Sequence, residues 1–261
     1  MPGLGYTAPP LSAALRVAHR CATRRQLIFY TRIEFLGDAA LLLRFGDGID
    51  AAVNRRVHAC AAALRAQAPN WLIDLTPAYA CLGLHIHAAR IGGEDTLGSA
   101  RAWLAQWLER TPFDARVADS RTVEVPVVYG GDHGPDLAAV ATHAGMTIDD
   151  AIARHTAAHY TVAMLGFAPG FPYLLGLDAA LAMPRIDTPR ARVAAGSVGI
   201  GGAQTGIYPQ AGPGGWRLVG RTPLRLFDAG RDPPSLLQAG DRVRFVAIDA
   251  ATFDAMDEHA Q

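Results

Sequence analysis

The chain has 261 residues, 24 basic and 24 acidic side chains, and a formal net charge of zero. All of the basic residues are arginine, because the sequence contains no lysine. This composition excludes a Walker phosphate loop, Schiff-base chemistry, and a biotinyl- or lipoyl-lysine carrier. The balanced charge gives no electrostatic basis for binding nucleic acid or an anionic membrane.

The cysteines and the N-terminal segment bear on the compartment. Cys21, Cys60 and Cys81 are an odd number without a CxxC pair, which indicates neither a disulfide framework nor a metal site and favours a cytoplasmic location. No stretch approaches 18 consecutive apolar residues, so no membrane span is predicted. Residues 1–30 contain arginines but no apolar signal core, and we predict a disordered extension there.

Residues 31–120 predict a small α+β domain. Strand-like runs occupy 31–36, 39–46, 71–75 and 81–87, and helical periodicity begins near Asp50 and near Thr96. Strands and helices intermixed at these lengths are typical of a two-layer sandwich.

A second unit begins with the alternating Val123, Val125 and Val127, which predict a strand; Pro126 within it favours a sheet edge. Two short helices are predicted at 136–143 and 148–156. They could be mistaken for a helix-turn-helix, but their charges are net acidic, which argues against a phosphate-facing recognition helix.

The segment that follows is unusually rich in glycine. Nine of the 27 glycines lie in the 25 residues from Gly196 to Gly220, between short runs of strand character. Such density marks turns with positive φ or close approach of the backbone to another group. Short strands joined by Gly and Pro turns predict a mainly β barrel over residues 121–250, with 251–261 as a tail.

Three short motifs suggest chemistry but fail on context. Residues 199–206 lack the third glycine of a dinucleotide-binding loop. Ser197 has no strand–turn–helix context of a nucleophile elbow, so we interpret it as a turn hydroxyl. His155 and His159 are four residues apart without the glutamate of a zinc-protease motif, and this spacing favours packing over metal binding.

The arginines beside prolines are stronger candidates. Arg185, Arg190 and Arg221 each lie in a turn that contains proline. An arginine held by a rigid turn loses less entropy when it binds a carboxylate, so a bidentate anion site is one interpretation. The other is that each arginine holds a loop carbonyl or a surface ion pair. Nearby, Gln204, Thr205 and Tyr208 supply neutral donors and acceptors suited to an amide-like ligand.

Five ordered motifs carry a family resemblance: MLGFAPGFPYL at 164–174, the two PR pairs at 184–185 and 189–190, AGSVG at 195–199, QTGIYP at 204–209 and PGGWRLVGRTP at 213–223. Together they resemble the family of the 5-oxoprolinase B subunit, also labelled allophanate hydrolase subunit 1 or sporulation-kinase inhibitor. The resemblance spans about residues 31–248.

The resemblance implies a cyclophilin-like barrel after the α+β domain, and two protein partners. These are a homologous barrel protein, the C subunit, and a third protein, the A subunit, which together with this chain open 5-oxoproline to glutamate with ATP. ATP and Mg would be bound at the level of the complex, since this chain has no recognisable nucleotide motif. The alternatives are an inhibitor that docks on a histidine kinase through an apolar patch such as 167–171, or a carboxyltransferase component acting on urea or allophanate.

The resemblance also implies site roles. The general base is expected to be His155 or Asp132, because these two occupy family motifs. The side-chain chemistry described above gives the expected substrate-binding residues: Arg185, Arg190, Gln204, Thr205, Tyr208 and Arg221. The arginines would supply the positive charge that a carboxylate and a transferring phosphoryl group require.

Overall fold

The computed structural model describes residues 32–113 and 120–260. Its N-terminal domain is an antiparallel sheet covered on one face by two helices. The elements are β1 (Arg32–Phe35), β2 (Ala40–Arg44), α1 (Ala51–Ala66), β3 (Leu72–Pro77), β4 (Cys81–Ile86) and α2 (Thr96–Arg110), and the strand order is β1-β2-β4-β3. The predicted α+β character is confirmed, whereas the prediction for residues 1–30 lies outside the described residues.

Local sequence explains how α1 begins and which face it buries. The Asp50 carboxylate accepts a hydrogen bond from the Val53 amide at 2.8 Å and caps the helix. Val57, Ala61 and Leu64 recur at helical spacing and are fully buried against the sheet. Cys60 is also buried, as its position on this face predicts.

The C-terminal domain is a closed barrel. After β5 (Thr122–Tyr129), α3 (Leu137–His143) and α4 (Ile148–Ala157) come the strands β6 (Tyr160–Leu165), β7 (Pro172–Leu175), β8 (Arg190–Val193), β9 (Ser197–Gly201), β10 (Gln204–Ile207), β11 (Gly212–Gly214), β12 (Arg217–Arg221) and β13 (Arg242–Ala247), and then α5 (Ala250–Ala260). The barrel order is β10-β7-β6-β13-β5-β12-β9, and β8 pairs separately with β11. This confirms the predicted mainly β barrel.

Two details differ from what the sequence suggested. Pro126 lies inside the closed barrel, not at a sheet edge; it is tolerated because β12 pairs with β5 only at Val128 and Tyr129. Residues assigned to a tail lie in α5, whose Phe253 is buried beside His133. Within the described ranges, no helix is long and apolar enough to cross a membrane.

The glycine-rich strands give the barrel a flat outer surface. On β9, Val198 and Ile200 point into the barrel core, while Gly199 and Gly201 alternate with them and face Trp216. A Cβ at Gly201 would lie 2.6 Å from the Trp216 indole, closer than any van der Waals contact. The glycines therefore permit a second cluster of buried residues outside the barrel: Phe171, Val193, Tyr208, Trp216 and Leu218.

Gly201→Ala is expected to destabilise the protein by about 1–3 kcal/mol, because the added methyl group displaces the indole. Gly212→Ala is the matched control, since a Cβ there has no heavy atom within 4 Å. Chemical denaturation of both variants measures the difference. Equal stability of the two would contradict the close-packing explanation.

Candidate functional site

An aromatic face covers the outside of the glycine-rich strands. We define it as Phe167, Phe171, Tyr173, Tyr208 and Trp216. The ring of Phe171 contacts those of Tyr208 and Trp216 edge to face at centroid distances of 5.3 and 5.6 Å. Tyr173 lies 5.8 Å from Trp216 in the same geometry. These favourable edge-to-face contacts hold the rings in fixed orientations.

Phe167 is the exposed member of this face. Its backbone φ is +69°, and it is the one non-glycine residue with positive φ in the part of the chain that the structure describes. Its side chain is 67% exposed, although the ring contacts Phe171 at 5.4 Å. A bulky residue in this backbone conformation destabilises the folded state by of order 1–3 kcal/mol. The turn therefore presents an aromatic ring to solvent although its conformation is strained. Exposure and strain together mark a functional surface.

The N-terminal domain contributes Tyr79 to this site. Its hydroxyl donates a 2.8 Å hydrogen bond to Oε1 of Gln204, and its ring lies edge to face with Tyr173 at 6.2 Å. Burial raises the pKa of Tyr79, so the hydroxyl stays protonated as a donor. The amide nitrogen of Gln204 has no hydrogen-bond partner among the described residues and is available to a ligand carbonyl.

Arg190 is held in place by an ion pair. Its Nη2 lies 2.8 Å from Oδ1 of Asp136, whose Oδ2 accepts the Leu218 amide at 2.6 Å. Asp136 is 9% exposed, so this carboxylate is largely removed from water and depends on both partners. Arg190 also donates to the carbonyl of Trp216. It therefore joins α3, β8 and the aromatic face, and most of its hydrogen-bonding capacity is used within the protein.

Arg185 differs from Arg190 because its side chain has no hydrogen bond or ion pair to any described residue. It is exposed beside Tyr208. Burial raises the pKa of Tyr208, and a hydrogen bond with the backbone of Trp216, followed by the nearby charges of Arg185 and Arg190, partly offsets that rise. A guanidinium without a partner at the edge of an aromatic surface is suited to binding a carboxylate or phosphoryl oxygen.

His155 and Thr205 lie in a different place, inside the barrel. The hydroxyl oxygen of Tyr129 lies 2.7 Å from Nδ1 of His155, and Nε2 of His155 lies 3.3 Å from Oγ1 of Thr205. Thr205 donates its own proton to the carbonyl of Gly199, so its oxygen must accept from Nε2. Nδ1 then accepts from Tyr129, and the imidazole is neutral with both nitrogens paired.

The burial of His155 changes its expected role. Burial lowers its pKa to about 3, and its ring stacks on Phe245 at 4.6 Å in the barrel core. A general base must reach the proton that it removes. This placement therefore favours a structural role for His155, and for Thr205 beside it, over the catalytic and binding roles we expected.

Arg221 and Asp132 lie in a third location, next to α5. The Nε of Arg221 donates to the carbonyl of Ala195 at 2.8 Å, and its guanidinium lies over the ring of Phe253 at 5.3 Å. Asp132 is exposed in a short 3-10 helix whose His133 contacts the same ring. These contacts correspond to the alternative interpretation of Arg221, that it holds a loop carbonyl.

The structure thus gathers four of the eight expected residues around the aromatic face: Arg185, Arg190, Gln204 and Tyr208. Sequence reasoning missed Tyr79, which reaches the site across 125 residues of sequence and has no local motif. It also missed the role of Asp136, which the sequence analysis counted only as one of the acidic charges on the two short helices. Its side chain makes no capping bond, and binds Arg190 and Leu218 instead.

A closed barrel joined to an α+β domain, with an aromatic face between them, places the molecule in a class of two-domain barrel proteins. The family model for "Carboxyltransferase domain, subdomain C and D" matches residues 31–237. The chain belongs to this family.

Individual relatives agree with that assignment. The chain is 42% identical to the 5-oxoprolinase B subunit of Bacillus subtilis over 88% of this chain and 98% of that protein. The crystal structure of TTHA0988 superposes with a TM-score of 0.70 at 38% identity, over 82% of this chain and 40% of that one. The urea amidolyase of Kluyveromyces lactis shares the fold, with a TM-score of 0.70 at 20% identity over 87% of this chain and 15% of that one.

The buried imidazole predicts acid sensitivity. Between pH 6.5, its ordinary pKa, and about 3, the unfolded chain binds a proton at His155 that the folded chain does not. The contribution of this residue to the unfolding free energy is therefore fully present above pH 6.5. As the pH is lowered below 6.5, that contribution decreases by about 1.4 kcal/mol per pH unit. His155→Gln should reduce the pH dependence of the unfolding free energy by that amount, whereas exposed His143→Gln should not. If the unfolding free energy of His155→Gln depended on pH as steeply as that of the unmodified chain, the conclusion that His155 is buried and neutral would be wrong.

Substitutions of Arg190 and Arg185 should differ in their effect on the stability of the protein. Arg190→Gln leaves Asp136 buried without its cation, and a loss of about 1–3 kcal/mol is expected. Arg185→Gln removes an exposed side chain without a partner, and a change within about 0.5 kcal/mol is expected. Thermal and chemical denaturation test this, and equal losses would show that Arg185 is also structural.

Proposed function

We propose that this chain is the B subunit of an ATP-dependent 5-oxoprolinase complex that opens 5-oxoproline to glutamate. The observation that carries this proposal is 42% identity across 98% of a relative that bears the name of the 5-oxoprolinase B subunit. A relative in Escherichia coli O157:H7 bears the same name, at 42% identity over 95% of its length. Near-complete coverage supports transfer of the role of the whole protein and not only of one domain.

The chemistry of the aromatic face fits this substrate. 5-Oxoproline is a small lactam with one carboxylate. The unpaired guanidinium of Arg185 would bind the carboxylate, and the free amide hydrogens of Gln204 would donate to the lactam oxygen. The apolar ring atoms would pack on the rings of Tyr173 and Tyr208. Arg190, oriented by Asp136, would add positive charge near the reacting oxygen without leaving its ion pair.

The reaction would proceed by phosphorylation of the lactam oxygen, which makes the ring carbon electrophilic, followed by attack of water. Positive charge near the phosphoryl group stabilises such a transfer. Neither residue paired in this region is free to act as a base: Asp136 is bound to Arg190, and His155 lies in the barrel core. We therefore place the base on a partner protein of the complex.

The exposed ring of Phe167 supports a shared site. It projects from a strained turn at the rim of the face, where the homologous barrel of the C subunit would cover it, while the A subunit would supply further catalytic groups. Alone, the chain would therefore be inactive. ATP with Mg would enter at the level of the complex.

The test is glutamate release from 5-oxoproline by the purified chain with the A and C subunits, ATP and Mg. Arg185→Gln should lower kcat/KM by about tenfold or more, because a charge-assisted contact to substrate is lost. Arg110→Gln, an exposed arginine at the end of α2, is the control and should leave turnover unchanged. No turnover above an ATP-only control would refute the proposal.

The alternatives are distinguished in the same preparations. Carboxylation of urea with bicarbonate, ATP and a biotin carrier protein would indicate a carboxyltransferase component. Inhibition of histidine-kinase autophosphorylation by this chain, without glutamate release by the complex, would indicate the regulatory role.

A further inference from the structure

A cleft of about 1010 Å³ separates α1 from the barrel, away from the aromatic face. Its N-terminal wall is α1, with Asn54 and His58, and its barrel wall includes Gly176 and Gly240 in the turns after β7 and before β13. The two domains are in contact here, because the amide of Asn54 donates to the carbonyl of Ala163 at 3.2 Å. The cleft is therefore a built feature of the domain junction.

The charge that lines this cleft is strongly positive. The arginines and carboxylates among its described lining residues are Arg55, Arg65, Arg121, Arg242 and Asp241. That carboxylate accepts Nε and Nη2 of Arg121 at 3.0 and 2.8 Å. The pair cancels, which leaves Arg55, Arg65 and Arg242; the carboxylate of Asp50, beside the lining residue Ala51, lies within electrostatic range of Arg55.

Two of these guanidinium groups form no hydrogen bond with the residues that the structure describes. Arg65 donates to the carbonyl of Leu75 at 3.3 Å, whereas the side chains of Arg55 and Arg242 have no hydrogen bond or ion pair to any described residue. Arg55 comes from α1 and Arg242 from β13, so they belong to opposite walls. A ligand with several negative charges could therefore pair with a guanidinium group from each wall.

The imidazole of His58 lies near the positive charge of Arg65. It lies in the wall beside Asn54, and its Nε2 is 3.1 Å from Oδ1 of that residue. Burial is the main cause of its lowered pKa; the hydrogen bond to the backbone of Ala163 opposes this shift, and the positive charge of Arg65 adds a smaller lowering.

Size and charge define the ligand class. A cleft of about 1010 Å³ is in the range that holds a drug-sized molecule, much larger than a single amino acid. Arginine forks match phosphate oxygens bidentately, and a ligand with one carboxylate would pair with only one of the free guanidinium groups. We propose that this cleft binds a phosphorylated small molecule of about nucleotide size through Arg55 and Arg242. The site stands on this geometry and does not depend on the proposed 5-oxoproline reaction.

The experiment is calorimetric titration of the purified full chain with pyrophosphate, ATP and, separately, glutamate. Pyrophosphate and ATP are expected to bind, and glutamate is not. Arg55→Gln/Arg242→Gln should weaken both phosphorylated probes by about tenfold or more. The matched control is Arg110→Gln/Arg192→Gln, which removes two exposed arginines outside the cleft and should bind like the unmodified chain.

Binding of ATP alone, if the cleft double variant abolishes it, also supports the site and shows that the base contributes. Circular dichroism and thermal melting establish that each variant is folded; should the double variant fail, Arg242→Gln alone carries the comparison. No binding by either phosphorylated probe, or equal weakening by the control variant, overturns the proposal. Because the assay needs no turnover, failure of the 5-oxoprolinase assay leaves its result unaffected.

Discussion

The close approach of aromatic rings to glycine backbone on β9 and β10 is the constraint on which the C-terminal domain depends. A Cβ at Gly206 would lie 2.7 Å from the carbonyl of Pro172 and 3.0 Å from the ring of Phe171. With side chains absent on this surface, the rings pack directly on the barrel wall. The barrel thereby has two packed layers, one inside the strands and one outside them.

The outer layer places the candidate site where the two domains meet. Tyr79 binds Gln204 from the N-terminal domain, and Arg190 is oriented from α3 by Asp136. A site assembled from separate elements keeps its geometry only when those elements are fixed. The tight packing of the rings supplies that rigidity, and the strained turn at Phe167 persists because its neighbours hold it.

The imidazole of His155 and the guanidinium of Arg185 have opposite environments: the first is buried and the second is exposed. His155 is neutral in the barrel core with both nitrogens paired, which satisfies its polar atoms at the cost of access to solvent. Arg185 keeps its charge in water and has no described partner. Reactivity toward a ligand requires the second arrangement, and for this reason burial separates structural residues from candidate binding residues more sharply than residue type.

Local patterns determined the elements and the architecture. Alternating apolar residues, the Asp50 cap and the glycine-rich turns were enough to predict an α+β domain followed by a barrel, because these patterns depend on neighbours in sequence. The absence of lysine likewise determined that every long cationic side chain is an arginine. Which arginine is free could not be predicted, since Arg185 and Arg190 both stand beside prolines. Only the tertiary structure decided this, by bringing Asp136 to Arg190 across 54 residues and leaving Arg185 exposed.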